Sequence, residues 1–136
     1  MTEFTDYNFA GWSKVLADTH LSMRLFDPKG ENFRARIRSK EISGVRLFDI
    51  IMDAHSAERT PALLSVDDTR IYGIELQIEG SSVIEQDGVR SVLQPGDYTL
   101  YDSTRPFNRF FDERVRIFVL RFPQNMVSLP SHTMRS

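Results

Sequence analysis

Histidines are the side chains in this sequence best suited to metal binding or proton transfer, and there are three: His20, His55 and His132. A buried metal site needs three or four converging ligands. These histidines are widely separated, and His55 is followed by serine and alanine rather than by a second histidine. The chain has no cysteine, which excludes thiolate chemistry and disulfides. We therefore expect no metal and no other cofactor.

Two pairs of adjacent carboxylates, Asp67-Asp68 and Asp112-Glu113, are the remaining candidates for acid–base catalysis. Both pairs fall in turn-like segments, where solvated loop charges explain them better than catalysis does. The sequence also lacks a Gly-x-Ser-x-Gly nucleophile motif and a glycine-rich phosphate loop. We therefore expect that the chain is not an enzyme.

A basic stripe consisting of Arg34, Arg36, Arg38 and Lys40 shares one face of a predicted strand. Such a stripe can bind nucleic acid, but a solvated strand face explains it better, because the net charge of the chain is -2. No helix with base-reading side chains follows a turn. The chain alone is therefore not expected to bind DNA.

Short strands and tight turns must position any site in this chain. Between Gly80 and Phe107, Asp87-Gly88 is typical of a two-residue hairpin turn, and Pro95-Gly96-Asp97 marks a second break. The segment from Asp53 to Asp68 is polar and mixed, with a turn near Thr60-Pro61. The pattern predicts about eight strands joined as hairpins, which is typical of an all-β jelly roll or barrel.

A single domain is expected from the length of 136 residues. Apolar residues at helical spacing predict one short helix at about residues 9–17, capped by Thr5 or Asp6, ahead of a β-barrel at about residues 31–123. The N-terminus does not resemble a signal peptide, and no apolar run is long enough to span a membrane. A cytoplasmic protein is the default expectation.

An ordered set of short motifs runs from Trp12 to about Leu129. The motifs are Trp12-x-x-Val15, Val45-Arg46-Leu47, Arg59-Thr60, Tyr72 with Leu76-Gln77-Ile78-x-Gly80, Gln86-Asp87-Gly88-Val89, Leu93-x-Pro95-Gly96-Asp97, Asp102-Ser103-x-Arg105-Pro106-Phe107 and Phe122-Pro123. In this order and spacing, they resemble the N-terminal ligand-binding domain of AraC-type transcriptional regulators. The resemblance implies a cupin-like jelly-roll barrel, also called a double-stranded β-helix.

The resemblance also implies what the domain does. Domains of this kind bind a small effector, such as a sugar, an aromatic compound or a fatty acid, or they hold two copies together as a homodimer. They precede a DNA-binding domain with two helix-turn-helix motifs, which is absent from this chain. The chain ends where the interdomain helix and linker of the family begin, so we expect either an excised fragment or a stand-alone relative.

Two alternatives to effector sensing remain open. One is a metal-free, cupin-like enzyme, such as an isomerase or epimerase that acts on a small polar substrate. The other is a pure dimerisation module whose barrel is filled by side chains such as Phe48, Phe118 and Phe122.

If an effector binds, we expect it inside the barrel, where a closed sheet offers a concave apolar cavity. Side chains alternate along a strand, so Tyr72, Ile74 and Leu76 are predicted to face inward, while Glu75 and Gln77 face away. Asp97 and Asp102 are expected to accept hydrogen bonds from nearby backbone amides. Arg59 and Arg105 are expected to pair with these carboxylates or to meet an anionic effector. The predicted ligand-binding residues are Arg46, Phe48, Tyr72, Ile74, Leu76, Gln86, Tyr101, Arg116 and Phe118.

Overall fold

The computed structural model describes residues 3–18 and 21–127. These residues form eleven β-strands, two α-helices and one 3₁₀ helix. The strands are β1 (Thr5–Tyr7), β2 (Arg24–Phe26), β3 (Ala35–Ile42), β4 (Val45–Met52), β5 (His55–Arg59), β6 (Ile71–Glu79), β7 (Ser82–Gln86), β8 (Val89–Leu93), β9 (Tyr98–Asp102), β10 (Phe107–Phe111) and β11 (Val115–Pro123). The helices are α1 (Phe9–Asp18), α2 (Pro61–Leu64) and the 3₁₀ helix Gln124–Met126. His20, Leu129 and His132 lie outside the described residues.

The strands form two antiparallel sheets. The six-stranded sheet has the order β1-β3-β4-β11-β6-β9, and the five-stranded sheet has the order β2-β5-β10-β7-β8. The last strand, β11, lies between β4 and β6 in the middle of its sheet. Core residues come from both sheets, with Phe48, Ile117 and Phe111 in one cluster. The expected all-β, jelly-roll class is confirmed.

Tight turns with left-handed backbone angles join the hairpins. Asp87 and Gly88 connect β7 to β8 with φ angles of 55° and 77°. Ser43 and Gly44 connect β3 to β4 with φ angles of 51° and 84°. Two successive positive φ angles define the turn whose twist matches that of the flanking strands. The predicted Asp-Gly hairpin is confirmed, and the Ser-Gly turn is a second hairpin of the same kind.

Helix α1 packs its apolar face into the barrel, as its spacing predicts, because Trp12 and Leu16 belong to the main core cluster. The expected cap is wrong. The side-chain oxygen of Asn8 accepts a hydrogen bond of 2.8 Å from the backbone amide of Gly11. Thr5 and Asp6 instead lie in β1, which pairs with β3. They are therefore too far along the chain to cap the helix.

The described residues contain more strands than the eight predicted. Strand β5, which lies in the segment predicted to be polar and mixed, is central in its sheet, between β2 and β10. His55, Ser56, Ala57 and Arg59 are all buried there. Small and polar residues without alternation give no strand pattern. The strand is held by pairing on both sides and by the hydrogen bonds of its buried Arg59.

Candidate functional site

A small cavity lies between the two sheets, with a volume of about 40 Å³. Apolar side chains from α1 and from both sheets form most of its wall, including Trp12, Met23, Phe107 and Ile117. The polar residues that line it are His55, Glu75, Tyr101, Arg109 and Arg121. The cavity is too small for a sugar or an aromatic ring unless some of these side chains move.

An ion pair crosses the barrel interior between the two sheets. Nη1 of Arg109 on β10 donates to Oε2 of Glu75 on β6, and both side chains are almost completely buried. Nη2 of Arg109 donates to Oγ of Ser82 at 2.9 Å, and Nε donates to the carbonyl of Val83 at 3.2 Å. The guanidinium carbon also lies 4.7 Å from the centroid of the Phe111 ring. A buried charge of this kind is tolerated because its hydrogen bonds are satisfied.

Gln77 extends this network toward one end of the barrel. Its side chain is completely buried. Its Oε1 accepts a hydrogen bond of 2.7 Å from Ser82 Oγ, the same hydroxyl that accepts from Arg109. Its Nε2 donates to the carbonyls of Glu79 and Gly80, each at 3.0 Å. The polar residues of β6 are thus satisfied inside the barrel by partners on β7 and β10.

His55 is buried beside this network in an aromatic setting. Its ring stacks on Phe111 with a centroid separation of 5.1 Å, and it lies nearly perpendicular to the Phe33 ring with a centroid separation of 5.0 Å. Nδ1 lies 2.8 Å from the carbonyl oxygen of Asp53, so the proton is on Nδ1. Burial lowers the pKa of His55 to about 4, and the positive charge of Arg109 acts in the same direction. The imidazole is therefore neutral at neutral pH.

Tyr101 and Arg121 form the other polar part of the cavity wall. Nε of Arg121 on β11 donates to the hydroxyl of Tyr101 on β9 at 3.0 Å. The Tyr101 ring lies across Gly73 of β6, where an added Cβ would stand 2.1 Å from the ring carbon Cζ. Glycine is thus required for Tyr101 to lie in this position.

A second buried arginine, Arg59, ties loops together at the end of β5 rather than lining the cavity. Its Nε donates to the carbonyl of Ser103 at 2.7 Å, and its Nη1 donates to the carbonyl of Ser22 and to Asp67 Oδ2, each at 2.9 Å. Burial raises the pKa of Asp67, but hydrogen bonds from Thr69, Ser22 and Arg59 outweigh it and hold the pKa well below its usual value. Asp67 is therefore a structural anion.

The roles expected for Asp97 and Asp102 are confirmed. Oδ2 of Asp97 accepts from the backbone amide of Gln94, and Oδ1 of Asp102 accepts from that of Thr104, both at 2.8 Å. Arg105 pairs with Asp87 and lies 3.6 Å from Asp102. The expected pairing thus holds for Arg105. For Arg59 it is wrong, because its carboxylate partner is Asp67.

Ion pairs neutralise two of the four members of the basic stripe, whereas Arg34 and Lys40 are exposed to solvent as expected. Arg36 pairs with Asp6 at 2.8 Å, and Arg38 pairs with Asp49 at 2.8 Å. Arg116 also pairs with Asp49, which is buried beneath the two arginines on the outer face of the sheet. Burial alone would raise the pKa of Asp49, but the hydrogen bonds from Arg116 and Arg38 outweigh burial and hold the pKa below its usual value.

The predicted orientation of β6 is wrong. Glu75 lines the cavity and Gln77 is completely buried, whereas Ile74 and Leu76 are 37% and 39% exposed on the outer face of the sheet. The polar side chains of a strand can face the core if partners on another strand satisfy their hydrogen bonds there, and the apolar side chains then face outward. Here Arg109 and Ser82 satisfy the polar set from the opposite sheet.

Four of the nine predicted ligand-binding residues lie near the interior. Phe48 is in the core, Tyr101 lines the cavity, and Arg46 lies over the Phe48 ring. Gln86 pairs in register with the cavity residue Phe107, and its Nε2 donates to the carbonyl of Asp102 at 2.9 Å. The other five lie on the outer face of the six-stranded sheet, so their inward placement was wrong. They are Tyr72, Ile74, Leu76, Arg116 and Phe118.

His55, Glu75, Arg109 and Arg121 are the polar cavity residues that the predicted site omitted, and none of the apolar lining residues was on the predicted list either. Arg109 stands between Phe107 and Phe111 at alternate positions of β10, and all three are buried. That spacing is a usable signal, because a polar residue in register with two buried aromatics must face the core. The location of its partner Glu75, 34 residues earlier, is not encoded locally.

Within residues 3–18 and 21–127, no group of three or more His, Cys, Asp or Glu side chains is placed to hold a metal ion. In the same part of the chain, no helix has the length and apolar character needed to cross a membrane.

Comparisons with known proteins agree with this architecture. The chain is 19% identical to the AraC-like transcriptional activator CuxR, with a TM-score of 0.77 over 90% of this chain and 48% of that structure. It also resembles a cupin 2 conserved barrel domain protein from Salinispora arenicola, with 15% identity and a TM-score of 0.50 over 74% of this chain and 85% of that structure. These likenesses concern the fold.

Sequence relatives point to a regulator. The chain is 28% identical over 97 residues to the transcriptional activator NphR of Rhodococcus sp, covering 71% of this chain and 29% of NphR. It is 25% identical over 119 residues to an uncharacterized protein from the nit 5' region of Bacillus sp. (strain OxB-1), covering 88% of this chain and 46% of that protein. The chain thus spans less than half the length of these relatives. The family model of the AraC-binding-like domain matches residues 12–134, and the chain belongs to this family of regulatory domains of AraC-like transcription regulators.

Proposed function

We propose that this domain binds a small-molecule effector inside the barrel and carries out no catalysis. The observation that carries the proposal is the interior cavity, in which an apolar wall meets a few oriented polar groups. We further propose that a DNA-binding domain outside this chain supplies contact with DNA, and that the regulator acts in the cytoplasm.

The limited free volume gives binding a structural consequence. A cavity of about 40 Å³ has room for water but not for an organic ring, so an effector must displace lining side chains. Met23 and Arg121 are both half-buried, which makes them better able to move than the packed core. Effector binding would thus move side chains at the edge of the cavity, and such a movement can alter the contacts of this domain with a neighbouring domain.

The polar groups in the cavity favour binding over catalysis. Glu75 is engaged by Arg109, and the low pKa of His55 follows from its burial. A general acid or base needs a pKa near the working pH and free access to its substrate. Glu75 lacks the free access and His55 lacks the pKa, so neither group favours the metal-free enzyme.

The test is a ligand screen on this 136-residue chain. Ligand-observed NMR with sugars, aromatic compounds and fatty acids should identify a ligand whose binding Met23→Trp abolishes, because Met23 lines the cavity and the larger indole ring would occupy it. Val66→Trp is the matched control, since Val66 is 82% exposed and lies away from the cavity. A binder that is unaffected by Met23→Trp would argue against the interior site.

The domain also has an outer patch of apolar side chains that favours self-association. The patch runs across β4, β11, β6 and β9, where strand register places its members side by side. Its members are Leu47, Tyr72, Ile74, Leu76, Tyr98, Leu100, Phe118 and Leu120. Contiguous exposed apolar patches of this kind are uncommon on monomers.

We propose a second copy of this chain as the partner of the outer patch. A two-fold axis parallel to the strands would lay the patch of one copy over that of the other and remove its exposed members, such as Leu76 and Leu100, from water. The interface would thus be self-complementary and apolar.

Sedimentation velocity over a range of concentrations tests this dimer. Leu76→Glu should dissociate it, because a carboxylate would be desolvated at its centre. Val92→Glu on β8 is the control, since Val92 is 57% exposed on the other sheet. A chain that is monomeric at every concentration, or a dimer that tolerates Leu76→Glu, would overturn the proposal.

A further inference from the structure

Two arginines face each other at one end of the barrel interior. Arg46 on β4 and Arg121 on β11 are directly opposed in the strand register. Both lie on the interior face, two residues beyond the core residues Phe48 and Val119 of their strands. Their guanidinium carbons lie 5.2 Å and 5.0 Å from the centroid of the Phe48 ring. Two positive charges thus converge on one aromatic ring.

These two arginines differ from the other arginines of the described residues in having no carboxylate partner although they are half-buried. Most of the others form ion pairs, namely Arg24, Arg36, Arg38, Arg59, Arg90, Arg105, Arg109, Arg114 and Arg116. The remaining two in this part of the chain, Arg34 and Arg70, are exposed to solvent. Like charges directly opposed across a strand pair are destabilising. An anion between them would turn that repulsion into attraction.

The surrounding groups suit an anion with an apolar body. The Tyr101 hydroxyl accepts from Nε of Arg121, which leaves its own proton free to donate. Both guanidinium groups offer further N–H donors in the fork geometry that matches carboxylates. Beyond Arg121 the cavity wall is apolar, with Met23, Trp12 and Phe107, and the deeper Arg109 is already neutralised by Glu75.

We propose that Arg46, Arg121 and Tyr101 bind the carboxylate of an effector whose apolar body enters the cavity. The inference rests on the proposed effector-sensing function and names the chemical class of the ligand: an organic carboxylate with an apolar body. Arg46 and Arg121, at one end of the barrel interior, recognise the charge of the effector. The apolar cavity next to them selects the shape of its body.

The test uses the whole chain and three probes at constant ionic strength: benzoate, the neutral isostere benzamide, and inorganic phosphate. Thermal unfolding should show a higher Tm with benzoate than with benzamide. Arg46→Gln or Arg121→Gln should each weaken benzoate binding about tenfold or more, because each removes a charge-assisted contact. Arg70→Gln is the matched control, since Arg70 is an exposed arginine without an ion pair.

The unliganded protein gives a second readout. At low salt, Arg46→Gln should raise the Tm by removing the repulsion, and added salt should shrink that gain. The proposal is overturned if benzamide matches benzoate, if no anion raises the Tm, or if the benzoate shift survives in both arginine variants. Phosphate that stabilises the chain as strongly as benzoate would overturn the apolar part of the proposal.

Met23→Trp separates this inference from the proposed function. If the interior site is wrong but the anion site is right, Met23→Trp leaves benzoate binding unchanged while Arg46→Gln abolishes it. If the anion site is wrong but interior sensing is right, a screened ligand is lost in Met23→Trp and kept in Arg46→Gln.

Discussion

Single residues in this barrel show how burial sets chemistry. His55 is packed among aromatic rings and is neutral because burial penalises its charged form. Arg59 is equally buried, but its guanidinium donates to the Asp67 carboxylate and to the carbonyls of Ser22, Ser103 and Asp67. The difference lies in the partners, and each case leads to a measurable consequence for stability.

His55 should make the domain less stable in mild acid. Its folded pKa of about 4 lies below its ordinary value of 6.5, so the unfolded chain binds the proton more readily between these values. The stability is therefore complete above pH 6.5 and falls by about 3 kcal/mol as the pH approaches 4. Urea unfolding across this range should show the fall, and His55→Phe should flatten it. The lowered pKa values of Asp49 and Asp102 act at lower pH.

Replacement of Arg59 should be among the most damaging single changes. Arg59→Met would leave the carbonyls of Ser22 and Ser103 without their side-chain donor and would remove the positive partner of Asp67, so we expect a loss of about 3–5 kcal/mol. Arg24→Met is the control, because the Arg24–Glu58 ion pair is exposed and contributes less than about 1 kcal/mol. Comparable losses for the two variants in chemical denaturation would contradict the structural role of Arg59.

At the scale of elements, strand β6 shows what a sequence pattern can and cannot predict. Its alternation was correctly recognised, but its faces were reversed. The rule that apolar residues face the core failed because Arg109 and Ser82 satisfy Glu75 and Gln77 inside the barrel. The information for the correct orientation lies in a strand 34 residues away. Hairpin turns such as Asp87-Gly88 were predictable because their backbone requirement is local.

The pairing of β6 with β9 should depend on Gly73. In Gly73→Ala the new Cβ would stand 2.1 Å from Cζ of Tyr101, so the ring must turn away and lose its bond to Arg121. We expect a loss of about 1–3 kcal/mol from this overpacking. A double-mutant cycle with Tyr101→Leu measures the cause, because Gly73→Ala should cost much less once the ring is gone. Equal costs in both backgrounds would place the strain elsewhere.

At the scale of the whole molecule, the fold and family were predictable from the ordered turns and motifs, whereas the interior was only partly predictable. Arg46, Phe48 and Tyr101 lie on the interior face, because each shares parity with a core residue or lies in an unambiguous strand, and their contact with a ligand stays a prediction. The interior ion pair was not predicted, since its two halves come from different sheets. Long-range polar pairing, which has no local signature, limits the prediction of such sites.

The domain as a whole should not bind duplex DNA. Its net charge is -2, and two of the four cations in the stripe that most resembles a nucleic-acid surface are neutralised, since Asp6 pairs with Arg36 and Asp49 pairs with Arg38. Phosphate binding requires free cations and produces a steep dependence on salt. Fluorescence anisotropy with labelled duplexes at low salt should therefore show no saturable binding. Asp49→Asn, which frees two arginines on the same face, should raise the residual affinity. Salt-sensitive binding by the unaltered chain would contradict this prediction. It would mean that cations outside these ion pairs bind DNA.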